Sequence, residues 1–350
     1  MQIEKKSFGA LPGGDPVWLF TLRNSQGCRA RITNYGGIVV SLEMPDRYGK
    51  MADLVLGKDR LEDYLAGHPF FGAIAGRVAG RIGGGRFSLD GELFELAQNN
   101  GTNCLHGGLE GFDKMLWEPS VGGSEACPCL RLKINDPHGH NNFPGNLACT
   151  VTYELLETNA LKISYEATTD RATPLNLTNH SYFNLDGHDA GDVLGHEVRI
   201  LADRVGSVDE RSTLLGRLDP VRAGYNDYRE PVALSERDRL EVGNADIFFQ
   251  HAAGRTLDPK QVASVYSPRS GRSLDVLTTE PGVQFYAGLT LSEDGPERGK
   301  NGSTYPPLSG FCLETQSYPD SVNYPEAGDA ILRPGERFQS TTIFQFGVRD

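Results

Sequence analysis

The stretch "LKISYEA", residues 161–167, sets Leu161, Ile163, Tyr165 and Ala167 on one side of an extended chain and Lys162, Ser164 and Glu166 on the other. That period of two is the mark of a β-strand with one face in a core. Working outward, "LRLKI" at 130–134 repeats the alternation, and "CTVTYELL" at 149–156 is rich in β-branched and aromatic residues. "GRFSLDGELFEL", 85–96, predicts a hairpin turning at Asp90-Gly91, a dipeptide that accepts the positive φ of a tight turn. "VYSPRSGRSLDVLT", 265–278, predicts a second hairpin around Ser270-Gly271. Helical spacing is confined to "DRLEDYLAG", 59–67, which predicts one short helix beginning near Asp59. Long loops are expected at 97–115, 203–246 and 291–309, the kind of segment that frames a site. The 42 glycines and 20 prolines are spread along the chain, so turns are many and elements short. The reading is all-β: one domain over 1–350, built as a large antiparallel β-sandwich.

Composition agrees with that reading. Length alone would allow two domains, but all-β folds run well past about 200 residues as one unit. An apolar content of 38% and a charged content of 23% fit a soluble globular chain. The net charge of −12 argues against nucleic acid or an anionic membrane as partner. No apolar stretch approaches the ~20 residues that span a bilayer. The start, "MQIEKKSFGALPGGDPVWLF", has two lysines but no apolar run behind them, so a signal peptide is not expected and the location is read as cytoplasmic. Six cysteines stand at 28, 104, 127, 129, 149 and 312; Cys127-Pro-Cys129 has the wrong spacing for a CxxC site, so reduced, mostly buried thiols are expected.

Chemistry concentrates in three places. "PLNLTNHSYFNLDGH", 174–188, crowds polar groups around His180 while Leu175, Leu177, Tyr182, Phe183 and Leu185 hold the segment to a core. Polar groups near a core need partners, and a ligand is a natural one where protein supplies too few. His106 stands in "NNGTNCLHGG", where glycines let backbone and ligand approach closely. For both histidines a satisfied structural role is the alternative. The third place is "GFCLETQSYPDSVN", 310–323, where Glu314 follows an apolar strand and is expected at its end in a partly dry environment. Such a carboxylate has its pKa pulled by desolvation and neighbours, although an ordinary strand-end glutamate would look the same. One Glu with one or two His, and no nucleophile motif, suits proton transfer.

Other polar features are read as structural. His138 and His140, in "NDPHGHNNFPG", are expected to be solvated. His68, His188, His196 and His251 lack a partner at ligand spacing, so a metal site is not expected. "GRVAGRIGGGRF", 76–87, lacks the ending of a phosphate loop and opens no helix; Arg77 and Arg81 are read instead as planar donors toward a polyhydroxyl ligand.

With these segments placed, the chain resembles the aldose 1-epimerase (galactose mutarotase) family from "NYGGIVVSLEMPDRYG" (34–49) to the terminal "FQSTTIFQFGV". The motifs run in the family's order: "GRVAGRI", "LHGGLEGFDKMLWE", "DPHGHNNFPGNL", "NHSYFNLDGH", "ADRVGSVDERSTLLG", "EPGVQFYAG" and "LETQSYPDSVN". The resemblance implies a supersandwich with an open carbohydrate-binding cleft, and interconversion of the α and β anomers of free hexoses such as galactose and glucose by ring opening and closure. It implies Glu314 as the base and His180 as the acid. Arg81, His106, Asp246 and Gln284 would hold the hydroxyls and ring oxygen, with Ser181 and Tyr182 near the same pocket. It implies no metal or organic cofactor, an aldohexose as the partner, and a monomer or homodimer. Glu314 is expected ionised and His180 protonated, since imidazole titrates near pH ~6.5 unless perturbed.

The chain also departs from the family. Gly80 stands where Asn is common before the motif arginine; Asp246-Ile247-Phe248 keeps only the acid of an Asp-His-Asn signature; Leu289-Thr290 follows "EPGVQFYAG" where Asn is usual. These positions bear on sugar preference, because a site with fewer hydroxyl-reading groups separates epimers less well. Three other readings stand beside this one. A non-catalytic carbohydrate-binding module would need neither Glu314 nor His180. A glycoside hydrolase or lyase would use two carboxylates, Glu314 and Asp246, about 5–10 Å apart. A mutarotase for sugar phosphates would add basic residues to the cleft.

Overall fold

In the computed structural model, which describes residues 2–123, 128–208, 214–237, 239–292 and 297–349, the alternation at 161–167 lies within the strand Ala160–Thr169. Leu161, Ile163, Tyr165 and Ala167 are buried there, and the strand pairs with Leu147–Leu155 on one side and Phe338–Val348 on the other. In Pro128–Asp136, Leu130, Leu132 and Ile134 point inward while Arg131 and Lys133 are exposed. These strands belong to a nine-stranded antiparallel sheet whose order is 118–123, 128–136, 147–155, 160–169, 338–348, 272–278, 260–266, 197–200 and 232–233.

Two five-stranded antiparallel sheets complete the frame. The first is a meander of Gln2–Ala10, Pro16–Arg23, Arg29–Thr33, Val39–Pro45 and Met51–Asp53. The other is ordered Leu214–Pro220, Ala202–Val208, Asp246–His251, Gly282–Tyr286 and Cys312–Gln316. One apolar cluster draws on all three: Ile32 and Leu42, then Val151, Leu274 and Phe344, then Phe249 and Leu313. The Tyr153 hydroxyl, buried in that core, donates to the Gly37 carbonyl at 2.6 Å, so a polar atom that would be costly when dry is satisfied across two sheets.

Local turn chemistry behaves as the residues dictate. Asp90 and Gly91, at φ 51° and 84°, join Arg86–Leu89 to Glu92–Glu95. Gly271, at φ 76°, closes the hairpin between Lys260–Tyr266 and Arg272–Thr278. The helix is Leu61–Leu65, and Arg60 rather than Asp59 precedes it. Asp59 accepts from the Asn301 N–H at 2.6 Å instead. The expected loop at 203–246 is a correction: it contains Ala202–Val208, Leu214–Pro220, a two-residue strand Val232–Ala233 and a short helix Val242–Ala245. Asp203 and Arg204 are exposed and Gly206 follows, so the apolar period that marks a strand is missing there. Residues 209–213 of the "ADRVGSVDERSTLLG" motif lie outside the described residues.

The segments 97–115 and 291–309 carry only two-residue strands and single 3₁₀ turns among the described residues. Cys28, Cys104, Cys129, Cys149 and Cys312 are free and buried, as expected; Cys127 lies outside the described residues. Among the described residues no helix is long and apolar enough to cross a membrane.

Candidate active site

Strand register gathers the polar residues. Gln284 pairs with Glu314, and Asp246 pairs with Tyr286, across the last three strands of the second five-stranded sheet. Alternation then presents Glu314 and Gln316 to a cleft of about 240 Å³, while Leu313, on the other face of the strand, joins the core. The opposite wall is main chain held in fixed positions. The His180 N–H donates to the Ala73 carbonyl at 2.8 Å, and its carbonyl accepts from Gly72 at 3.0 Å. The His106 N–H donates to Gly80 at 3.0 Å, from a backbone at φ 48°. The next residue has to be glycine: a Cβ on Gly107, at φ 91°, would sit 1.9 Å from the Gly76 carbonyl oxygen.

Side chains converge within this frame. His180 Nε2 lies 3.5 Å from Glu314 Oε1, both groups being buried, and His180 Nδ1 lies 3.5 Å from Cys312 Sγ. Phe70 stacks on the His180 ring at 5.7 Å, and His106 meets it edge-on at 5.1 Å. Arg81 Nε donates to Asn100 Oδ1 at 2.9 Å, which leaves the far end of its guanidinium directed by a fixed stem. Gln284 Nε2 donates to Asp246 Oδ1 at 2.8 Å and orients that carboxylate. Tyr286 OH and Thr290 Oγ1 are 2.7 Å apart.

Burial sets the charge states. It pushes the Glu314 carboxyl well above the usual range; the charge of Asp246 adds to this and that of Arg81 opposes it. Burial also raises Asp246, against Arg81 and the Gln284 hydrogen bond. The same desolvation lowers His180 to about 4 and takes His106 well below the ordinary imidazole value. Burial therefore works against the expected charges, favouring a protonated Glu314 and a neutral His180. Each distribution nonetheless holds one exchangeable proton on the pair.

His106, His180 and Glu314 bring ligand atoms within 4.8 Å of one another, a spacing a divalent ion could bridge. The Gly80 N–H, however, donates to His106 Nδ1 at 3.2 Å, which places the proton of the neutral ring on Nε2. A ligating histidine ordinarily donates its second nitrogen to a neighbour rather than accepting there. His106 is thus set up as a hydrogen-bond donor, suited to hydroxyl or ring oxygen.

Of the residues singled out in the sequence, Arg81, His106, His180, Tyr182, Asp246, Gln284 and Glu314 line the one cleft. Others are corrected. Glu314 stands mid-strand in Cys312–Gln316, not at a strand end, and is fully rather than partly dry. Ser181 faces away from the cleft and its hydroxyl donates to Asn179 Oδ1 at 2.6 Å, because an extended segment cannot turn three successive side chains to one side. Arg77 is buried and bound to Asp136 at 2.7 Å, to the Pro144 and Gly145 carbonyls and to Thr173, so it braces the fold and not a ligand. His140 is not simply solvated: its Nδ1 lies 2.6 Å from Asp136 Oδ1.

The sequence reading missed Phe70, Asn100, Tyr286 and Gln316, all of which line the cleft. Gln316 was within reach, two residues beyond Glu314 on the same strand face. Phe70, at φ 61°, carries no local signal.

Comparison with known proteins bears on the whole chain. The profile of the family described as aldose 1-epimerase matches residues 19–345. Galactose mutarotase of Sus scrofa is 42% identical over 350 residues, covering 99% of each chain. Aldose 1-epimerase of Escherichia coli is 38% identical over 344 residues, covering 96% of each. The crystal structure of an aldose epimerase homologue from C. elegans superposes with a TM-score of 0.86 at 28% identity, covering 95% of this chain and 99% of that one.

Proposed function

The chain belongs to the aldose 1-epimerase family, and from that premise we propose that it interconverts the α and β anomers of free aldohexoses, galactose and glucose among them, by acid–base opening and closing of the ring. The observation that carries the reading is the one-proton pair: a buried carboxyl and a buried imidazole 3.5 Å apart on a cleft lined with hydroxyl-binding groups.

Ring opening needs a proton removed from the C1 hydroxyl and one delivered to the ring oxygen. The Glu314 carboxylate takes the first and the His180 imidazolium gives the second, as the C1–O5 bond breaks and C1=O1 forms. The aldehyde turns, and the same groups act in reverse as the ring closes on its other face, which restores the starting protonation state. The neutral distribution favoured by burial is one proton shift away from this reactive form. Arg81 favours the carboxylate, opposing the desolvation that protonates it. Arg81, His106, Asp246 and Gln284 hold the hydroxyls and ring oxygen, and Tyr182 packs beside His180 at 5.1 Å. Positioned acid–base groups of this kind each contribute roughly 10²–10⁴-fold, enough for a reaction that already proceeds in water.

Free sugars are favoured over sugar phosphates because, among the described lining residues, Arg81 supplies the one fixed positive charge, against Asp246 and Glu314. We read the chain as acting without metal or organic cofactor, as one unit over 1–350, in the cytoplasm, and as a monomer or homodimer. Neither nucleic acid nor membrane is a partner in this reading, which the acidic balance of the chain supports. The test follows the optical rotation of freshly dissolved α-galactose and α-glucose with and without protein. Faster decay that survives a chelator is the expected result. No acceleration of either sugar would favour the binding-module reading, and a rate abolished by chelation and restored by zinc would overturn the metal-free mechanism.

A further inference from the structure

Gln316 is fully buried, it lines the cleft, and neither its Oε1 nor its Nε2 has a hydrogen-bond partner among the described residues. Its strand neighbours are engaged elsewhere. Thr315 Oγ1 lies 2.5 Å from Thr342 Oγ1, and the Ser317 N–H donates to Asn176 Oδ1 at 2.9 Å. The wall beside the amide is bare main chain. A Cβ built on Gly80 would fall 3.6 Å from Gln316 Nε2 and 2.9 Å from the Pro319 Cβ, so a side chain at 80 could enter only if Pro319 moved. Because residue 80 is glycine, no side chain from that position bonds to the amide.

A carboxamide dry at both ends is costly to bury, and the cost is removed when a ligand supplies a donor and an acceptor together. An amide offers one of each in a fixed plane, the arrangement that matches two neighbouring hydroxyls on a sugar ring. We propose that the Gln316 carboxamide reads a pair of adjacent hydroxyls on the substrate, donating from Nε2 to one oxygen and accepting at Oε1 from the other. This inference rests on the mutarotase reading above.

Position along the strand says which part of the sugar is read. Gln316 stands two residues from Glu314 on the same face, about 6.8 Å along the strand. With C1 and the ring oxygen at the Glu314–His180 pair, Gln316 meets hydroxyls remote from the reacting carbon. Its contacts are then equal in ground and transition states, and their loss appears in KM rather than kcat.

The experiment compares wild type with Gln316→Met, which keeps the length and removes both polar ends, on galactose, glucose and their monodeoxy analogues. The expected result is a KM raised about tenfold or more on the parent sugars with kcat little changed. The same substitution should cost much less on the analogues lacking one of two adjacent hydroxyls, since those lack the group that Gln316 reads. Gln316→Asn, which retracts the amide by one methylene, should give the same selective loss and serves if the methionine variant does not fold. An equal penalty on every analogue, or an unchanged KM on the parents, overturns the proposal while leaving the mutarotase reading intact. A wild-type protein that accelerates none of these sugars removes both.

Discussion

His180 and Glu314 are moved by burial in opposite directions on the pH scale, His180 down to about 4 and Glu314 well above the ordinary carboxylate range. Each shift favours the neutral form, so the pair holds a single proton between the lowered value of His180 and the raised value of Glu314. Falling pH adds a second proton and removes the base; rising pH takes the only proton and removes the acid. The profile of kcat/KM should therefore be a bell whose limbs belong to the pair. Its acid limb should lie below the usual histidine range and its alkaline limb above the usual carboxylate range. Initial rates of anomerisation across the pH range in which the protein stays folded check this. A rate still rising as pH passes ~6.5 would overturn this, because the acid limb would then lie where an ordinary imidazole titrates. At the same scale, Glu314→Gln keeps the shape of the side chain and cannot accept the proton. It should lower kcat by roughly 10²-fold or more while sugar still binds, and near-normal turnover would take Glu314 out of the mechanism.

At the scale of elements, the loop carrying His106 depends on a close approach of main chain to main chain. Gly107 lies against the Gly76 carbonyl, and its positive φ is one that L side chains adopt only with strain. Gly107→Ala should cost at least about 2 kcal/mol in denaturant unfolding and displace His106, lowering kcat/KM beyond what the stability loss explains. A variant with wild-type stability and activity would mean that this loop relaxes freely.

The same scale separates what a reader of the sequence can see from what only folding reveals. The hairpins at 85–96 and 265–278 were legible because turn chemistry is local. So was the core face of Ala160–Thr169, because a period of two needs only neighbours. Ala202–Val208 was not, since Asp203 and Arg204 are exposed and interrupt the pattern. Arg77 and Arg81 stand four residues apart in one glycine-rich stretch, with nothing local to divide them. The buried Asp136, far off in sequence, claims the first and leaves the second to the cleft. Glu314 and His180 were legible as residue types in telling contexts, and Asp246 only through the family resemblance. The proton shared by Glu314 and His180 could not be read, because it depends on how completely the folded cleft excludes water.

For the whole molecule, the question is what fastens the N-terminal meander to the sheets that build the cleft. Apolar contact does most of it, but one buried charge also spans the distance. Lys300 Nζ donates to Asp53 Oδ2 at 2.6 Å and to the Val40 and Val55 carbonyls at 2.9 and 2.6 Å, joining residues some 245 to 260 positions apart. All three ammonium protons are thus used, and Asp53 offsets part of the desolvation that would otherwise favour neutral lysine. Lys300→Met fits the space and removes every one of these bonds, leaving a largely buried carboxylate and two buried carbonyls without their partner. Breaking a buried pair from one side costs about 3–5 kcal/mol, because the stranded charge keeps its desolvation penalty. The denaturation midpoint should fall accordingly with an unchanged m-value. Adding Asp53→Asn to that variant should recover part of the loss. The amide carries no charge, and its oxygen can still accept the Leu42 N–H that Asp53 Oδ1 binds at 3.0 Å. Recovery in the double variant is the sign that an unpaired charge, rather than lost packing, is what the single substitution exposes. Equal instability of the single and double variants would mean that the methylene stem of Lys300, and not its ion pair, holds the meander in place.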